Sequence, residues 1–133
     1  MRIAGNLLLI LLSLLTVFHI LVIQGVFPYQ QTWGGAIEDE NKVFVYEGFA
    51  IVSTLLFILI VSVKLEYLKL KSFKRAANIG VWAMVGFFTM SLIGNLMAKT
   101  KMERIVFIPI SIILVVLSFR LAIGKKKLDK TTD

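Results

Sequence analysis

Apolar residues fall in four long runs that few charged residues interrupt. Each run is about 20 residues long, which is the length that an α-helix needs to cross the hydrocarbon core of a bilayer. The runs lack the period-two alternation of membrane β-strands, and every backbone amide in lipid must be satisfied within the protein, so helices are predicted. The four predicted helices cover residues 3–26, 43–63, 76–98 and 105–123.

The composition agrees with a membrane protein. Of the 133 residues, 58% are hydrophobic and only 17% are charged, and the mean hydropathy is +0.86. The first run begins like a secretory signal, with Arg2 before "NLLLILLSLL", but it continues through "TVFHILVI" and no small-x-small cleavage pattern follows. We therefore interpret it as a transmembrane helix. The predicted fold is all-α and polytopic, with residues 1–133 forming a single bundle of four transmembrane helices.

Basic residues flank the runs and predict the orientation of the bundle. Arg2, five Lys and Arg residues in 64–75 and four lysines in 125–130 would lie on one side, which is then cytoplasmic. The acidic residues 38–40 would lie outside, as would the basic stretch "KTKMER", which departs from the rule. The sequence thus predicts a multi-pass membrane protein with both termini in the cytoplasm. Because the net charge of +7 comes from these flanks, it does not indicate a nucleic-acid partner.

The stretch "FPYQQTWGGAIEDE" at residues 27–40 changes from aromatic to glycine-bearing to acidic between the first two runs. Its aromatic rings suit the membrane–water interface, and Pro28 is predicted to end the first helix. Gly34 and Gly35 allow the positive backbone angles of a sharp turn. Two interpretations stay open. The stretch is either a lid, formed by Trp33, Gly34 and Gly35, over an outward-facing polar pocket, or an exterior loop with an interfacial anchor.

Polar side chains inside the runs concentrate toward the outer leaflet. His19 and Gln24 lie in the outer half of the first helix, and Glu47 lies near the outer end of the second. Asn95 lies near the outer end of the third, whereas the inner half is nearly all Leu, Ile, Val and Phe. A polar group in hydrocarbon is costly and usually faces the interior of a bundle. The predicted ligand-binding residues are therefore His19, Gln24, Trp33, Gly34, Gly35, Glu47 and Asn95.

The fourth run carries its own boundary signals. Thr100 followed by Glu103 matches a capping box, so the helix is predicted to begin near Lys101. Gly124 stands at its end, before the C-terminal lysines. Pro109 lies inside the run, where it removes one backbone hydrogen bond and predicts a kink near the outer face.

The combination of "FHILVIQGVFPYQQTWGG", a glutamate early in the second helix and "GNLMAKTKMERIVFIPISIILVVLSFRLA" resembles an uncharacterised family of small bacterial four-helix integral membrane proteins with a Trp-Gly-Gly exterior loop. The likeness covers nearly the whole chain and implies the fold and a location in the bacterial inner membrane, without an activity. A weaker likeness is to the four-helix sterol-isomerase superfamily, whose members place His, Glu and Asn in a membrane pocket, although no specific motif of that family is present. The positions that carry the first resemblance are Trp33, Gly34, Gly35, Glu47, Gly94, Asn95, Glu103 and Pro109.

The side-chain inventory restricts the chemistry. Cysteine is absent and there is one histidine, which excludes thiolate sites and argues against a histidine-built metal centre. Phosphate-loop, dinucleotide, nucleophile-elbow and zinc-helix motifs are also absent, so no metal and no cofactor are predicted. His19 and Glu47 form the one pair that could act as acid and base. Packing of satisfied polar groups between helices accounts for the same residues.

Three functions are consistent with the sequence. The first is the binding of a lipid-like or amphipathic small molecule in the outer-leaflet pocket. The second is a membrane-embedded, isomerase-like acid/base enzyme acting on an apolar substrate through His19 and Glu47. The third is a small proton-coupled transporter that works as a dimer, against which no acidic residue lies at mid-membrane. Membrane lipid is the predicted partner, and a homo-oligomer or a second protein at the exterior loop stays open.

Overall fold

Four long helices make up most of the structure. The computed structural model describes residues 2–25, 42–97, 101 and 103–124. All four helices, taken with short helical segments before the third and fourth, are long and apolar enough to cross a membrane. The prediction of an all-helical chain with four such helices is confirmed for this part of the chain. The elements are α1 (Arg2–Ile23), α2 (Val43–Lys64), a 3-10 turn (Lys71–Phe73), α3 (Lys74–Leu96), a π-helical segment (Glu103–Phe107) and α4 (Ile108–Ile123).

The helices run antiparallel in a ring. α1 packs against α2 and α4, and α3 packs against the same two neighbours. The end of α1 meets the start of α2 through His19 and Glu47, and the end of α3 meets the start of α4 through Asn95 and Ser111. We call this end of the bundle the loop end. The opposite end, which holds the start of α1, the α2–α3 connection and the end of α4, is the terminal end.

The apolar core lies in the middle of the bundle and toward the terminal end. Two glycines there let neighbouring elements approach closely. A Cβ on Gly5 would lie 2.5 Å from a methyl carbon of Leu65, and one on Gly80 would lie 2.9 Å from a methyl carbon of Ile60. Small residues at such crossings are a common way for apolar helices to gain van der Waals contact. The largest fully buried apolar side chains are Leu8, Leu12, Val61, Leu65, Val81, Met84 and Leu121.

Polar contacts tie the α2–α3 connection to the terminal end. Lys64 is only 4% exposed and donates to Oδ1 of Asn78 at 2.6 Å. The hydroxyl of Tyr67 donates to Oδ1 of Asn6 at 2.5 Å. The guanidinium of Arg2 lies 5.3 Å from the centre of the Tyr67 ring, a cation–π contact. These contacts hold the end of α2 against the starts of α1 and α3.

α2 ends in a left-handed turn at Glu66, whose φ is 65°. The N–H of Glu66 bonds to the carbonyl of Val63 at 3.1 Å, and that of Tyr67 bonds to the carbonyl of Ser62 at 2.9 Å. This is the pairing of a Schellman motif, in which glycine is the usual residue because a Cβ is strained at positive φ. Lys74 donates to the Glu66 carboxylate at 2.6 Å, and this contact holds the pKa of the carboxyl below its ordinary value.

The fourth helix changes its winding near its start. The residues before α4 form a π-helical turn, and Pro109 stands in the first turn of α4 itself. Because proline has no N–H, the carbonyl of Ile105 cannot receive the usual α-helical hydrogen bond from position 109. The sequence predicted a kink at Pro109, and the irregular turn lies immediately before it. The predicted cap residue Thr100 lies outside the described residues.

α1 ends earlier than the sequence predicted. Its last residue is Ile23, and Gly25 follows with a φ of 83°. The N–H of Gly25 bonds to the carbonyl of Val22 at 3.0 Å, which closes the last turn. A glycine in the left-handed conformation is a common helix terminator, and here it acts before Pro28 is reached.

Candidate functional site

A cavity of about 460 Å³ lies between the four helices at the loop end. Every helix contributes to its wall, most of which is apolar. Its polar members come from all four helices as well, and His19 is the titratable group among the described residues that line it. The phenylalanines of the wall are Phe18, Phe49, Phe57, Phe87, Phe88 and Phe107.

The exposed residues of the wall indicate that the cavity opens sideways, between α2 and α3. Small residues lie on both sides of this gap, with Ala50 and Ser53 on α2 and Ser91 and Gly94 on α3. A Cβ on Gly94 would meet no neighbouring atom within 4 Å, so the space beside it is empty. The exposed residues of the wall all belong to these two helices, and they are Phe49, Phe87, Met90, Ser91 and Gly94.

Aromatic contacts close the cavity on two other sides. The ring of Phe57 meets those of Phe87 and Phe88 edge to face, with centroids 5.2 and 5.4 Å apart, and this cluster forms the floor toward the terminal end. Phe18 of α1 meets Phe107 before α4 in the same way at 5.3 Å. Edge-to-face packing stabilises aromatic pairs beyond the area that they bury. The floor and the α1–α4 wall are therefore well packed, whereas the α2–α3 side is open.

His19 and Glu47 are in contact at the edge of the cavity. Nδ1 of His19 meets Oε2 of Glu47, and Phe18 packs edge-on against the imidazole at 5.5 Å. The Glu47 side chain is 0% exposed, whereas that of His19 keeps 16% exposure and lines the cavity. A buried carboxyl needs a polar partner, and an imidazole partner gives the wall a pair that can hold or move a proton. The sequence placed both residues at one depth, and the structure brings them together.

A second polar pair continues the α1–α2 seam deeper into the bundle. The hydroxyl of Thr16 lies 2.8 Å from that of Thr54, which in turn donates to the carbonyl of Ile51 at 3.0 Å. Thr54 is buried and lines the cavity. Thr54 is not among the residues that the sequence predicted for the site. Its seven-residue spacing from Glu47, which puts both on one face of α2, is the signal that could have found it.

Asn95 is held by α4. Its amide nitrogen donates to Oγ of Ser111 at 2.6 Å and approaches the carbonyl of Phe107 at 3.4 Å. Because a backbone carbonyl can only accept, this contact orients the nitrogen toward α4 and leaves Oδ1 on the other side of the amide. Ser111 was missed as a site residue. Its seven-residue spacing from Ser118, which is also buried, indicates an inward face of α4.

The structure does not bring every predicted residue to the cavity. Gln24 lies in the exposed turn after α1, with its N–H bonded to the carbonyl of Ile20 at 3.1 Å, and it is not part of the wall. Trp33, Gly34 and Gly35 lie outside the described residues. The lid over the pocket stays a prediction.

The wall combines phenyl rings with hydrogen-bonding groups and one imidazole–carboxyl pair. A largely apolar wall with few polar atoms suits a small apolar molecule that carries a polar head. Within the described part of the chain, no three His, Cys, Asp or Glu side chains form a metal-binding group. Comparison with family models, with curated proteins and with solved structures finds no match to this chain.

Proposed function

We propose that this chain is a multi-pass protein of the bacterial inner membrane and that its cavity binds a lipid-like or amphipathic small molecule. The sideways opening between α2 and α3 is the observation that carries this proposal. A molecule dissolved in the bilayer reaches such an opening without passing through water. The polar groups of the wall then fix its head, and the phenyl rings cover its apolar part.

The outer surface of the bundle supports insertion in a membrane. Large apolar side chains are exposed along every helix, for example Leu14 at 60%, Val52 at 66%, Met90 at 74% and Val116 at 56%. Soluble monomers rarely expose continuous apolar surface of this extent, whereas lipid tails cover it favourably. Basic residues collect at the terminal end, which supports a cytoplasmic location for that end. The cavity at the loop end then lies in the outer-leaflet half of the bundle.

Single cysteines test this orientation, because the chain has none of its own. Ser72→Cys places a thiol in the exposed α2–α3 connection, and Asn41→Cys places one before α2. On intact spheroplasts we expect a membrane-impermeant maleimide to label Asn41→Cys, and to label Ser72→Cys only after the membrane is permeabilised. The reverse pattern would put the terminal end outside and the cavity in the inner-leaflet half.

Two glycines of α3 allow a matched test of the cavity. Gly94 and Gly86 are both exposed, and a Cβ at either position meets no neighbour within 4 Å, but only Gly94 belongs to the wall. Gly94→Leu should therefore fill the opening, whereas Gly86→Leu adds the same side chain elsewhere on the helix. In native mass spectra of detergent-purified protein, we expect a co-purified apolar molecule in wild type and Gly86→Leu that is lost in Gly94→Leu. Equal retention by both variants, or a wild-type protein that is empty, would contradict the proposal.

The polar wall is tested with Glu47→Gln and His19→Ala. Each variant removes one member of the imidazole–carboxyl contact. If this contact orients the head of the ligand, both variants should retain less of the molecule than wild type. Unchanged retention in both would refute a binding role for the pair.

The same contact favours a second function, acid–base catalysis on an apolar substrate. An imidazole held by a carboxyl can take a proton from one atom of a substrate and return it to another, as in an isomerisation. This function predicts turnover whose pH dependence disappears in His19→Gln and in Glu47→Gln, while Thr16→Val retains it. The measurement is the isomer composition of membrane lipids incubated with the protein. A molecule that binds and is recovered unchanged would support binding alone.

A further inference from the structure

Asn95 lies in the cavity wall, and its amide has an acceptor that no described residue uses. Both of its hydrogen-bond contacts use Nδ2, which donates to Ser111 at 2.6 Å and approaches the carbonyl of Phe107 at 3.4 Å. Among the residues that the structure describes, none donates to Oδ1. A carbonyl oxygen at a cavity wall is an acceptor that a ligand hydroxyl or N–H can satisfy. The complementary group on a ligand is therefore a hydrogen-bond donor.

The neighbouring polar groups lead to the same preference. The hydroxyl of Thr54 donates to the carbonyl of Ile51 at 3.0 Å and accepts from Thr16 at 2.8 Å, so only its remaining lone pair is available to a ligand. No Lys or Arg stands among the described residues of the wall, and the carboxyl of Glu47 lies directly behind the imidazole. An anionic head would find no Lys or Arg in this wall and would lie close to the Glu47 carboxyl. A head that donates a hydrogen bond and carries no negative charge fits these groups.

The phenylalanines of the wall favour a flat ring at the head of the ligand. They surround a space of about 460 Å³, and the pairs already formed meet edge to face, as Phe57 does with Phe87 and Phe88. A further aromatic ring gains the same edge-to-face contacts, which an aliphatic chain of equal area does not. A hydroxyl on such a ring is also a stronger hydrogen-bond donor than an aliphatic alcohol.

We infer that the cavity takes an uncharged phenol carried on an apolar tail, and that its hydroxyl donates to Oδ1 of Asn95. The tail leaves through the gap between α2 and α3, past Phe49 and Met90, and stays in lipid. This inference rests on the proposed function, because it names the class of molecule that the same cavity binds. It involves binding only and no chemical change of the ligand.

Four probes that share one tail test the inference by calorimetric titration of the purified protein in nanodiscs. They are para-octylphenol, its methyl ether para-octylanisole, para-octylbenzoate and para-octylphenyl-trimethylammonium. We expect the phenol to bind about tenfold more tightly than the methyl ether, which is the effect of one hydrogen bond. Asn95→Leu should lower the affinity for the phenol to that for the methyl ether. Asn6→Leu, which removes an amide at the terminal end, should change neither affinity.

The outcomes separate the inference from the proposed function. Unchanged binding of the methyl ether by Asn95→Leu together with weaker binding of the phenol supports the inference and shows that the variant keeps its cavity. Equal affinities of wild type for phenol and methyl ether, or tighter binding of the benzoate or the ammonium probe, would overturn the inference and leave the cavity as a binding site. If no probe binds, or if Gly94→Leu binds all probes like wild type, the proposed function fails as well.

Discussion

Removal of His19 alone should cost more stability than removal of His19 and Glu47 together. The Glu47 side chain is 0% exposed, and its Oε2 contacts Nδ1 of His19. His19→Leu replaces the imidazole with an apolar side chain of similar volume and removes the partner of a buried carboxyl. We expect a loss of about 3 kcal/mol in the free energy of unfolding. The imidazole keeps 16% exposure, so Glu47→Leu should cost less, about 1–2 kcal/mol. In the double variant neither polar group is left behind, and its stability should exceed that of His19→Leu.

The resulting double-mutant cycle gives an expected coupling of about 2 kcal/mol between the two side chains. Reversible unfolding in mixed detergent micelles, followed by circular dichroism, supplies the four free energies of unfolding. The matched control is the neutral pair Thr16 and Thr54, whose hydroxyls lie 2.8 Å apart. Hydrogen bonds of this kind between membrane helices contribute about 0.6 kcal/mol on average, so Thr16→Val and Thr54→Val should be nearly additive. A coupling between His19 and Glu47 no larger than that of the control pair would refute this reasoning.

Further predictions concern packing and pH. Gly5→Ala should destabilise the bundle by about 1–3 kcal/mol, because its Cβ would lie 2.5 Å from Leu65. Gly86→Ala has open space and should raise stability by about 0.5–1 kcal/mol through helix propensity, so equal shifts of the two unfolding midpoints would contradict the observed packing. Glu66→Gln should slightly lower the free energy of unfolding at neutral pH, because Lys74 holds the pKa of this carboxyl below its ordinary value of 4.5. The stabilisation by the ionised Glu66 carboxylate is fully present above its ordinary pKa and is lost as the pH falls through its lowered pKa. The free energies of unfolding of wild type and Glu66→Gln should therefore become equal in acid. A difference that persists unchanged in acid would contradict this assignment.

The helices could be predicted because the requirements of a membrane span are visible in any one run. Length and apolar composition placed the second helix at residues 43–63, and α2 extends over Val43–Lys64. The end of α1 was harder to place because two terminators follow it within a few residues. Gly25 adopts a positive φ at the end of α1, whereas the prediction took the later Pro28, which lies outside the described residues, as the terminator. Both glycine and proline can end a helix, and a single sequence does not show which of two nearby terminators is used.

The site could be predicted only where a polar group in hydrocarbon needs a partner. His19, Glu47 and Asn95 were recognisable because such groups are costly without a hydrogen bond. Thr54 and Ser111 were not, because hydroxyls commonly bond to their own helix, as Ser118 does to the carbonyl of Leu114. The cavity itself depends on which small residues of α2 and α3 come to lie on the two sides of one gap. That relation between helices is absent from the pattern of either helix alone.

The α2–α3 interface is closely packed at the terminal end and leaves a gap at the loop end, and the sizes of its residues account for the difference. At the terminal end the side chain of Ile60 occupies the space beside Gly80, which has no side chain of its own. The Lys64–Asn78 hydrogen bond holds the same end together. At the loop end small residues lie on both sides of the gap, so helices that pack closely at one end leave space at the other. The opening is therefore a property of helix packing. A larger side chain at position 94 that fills this opening should add apolar contacts and raise the stability of the bundle while it removes ligand binding. Such opposite effects on stability and on binding are expected when a binding site is a gap in the packing of the helices.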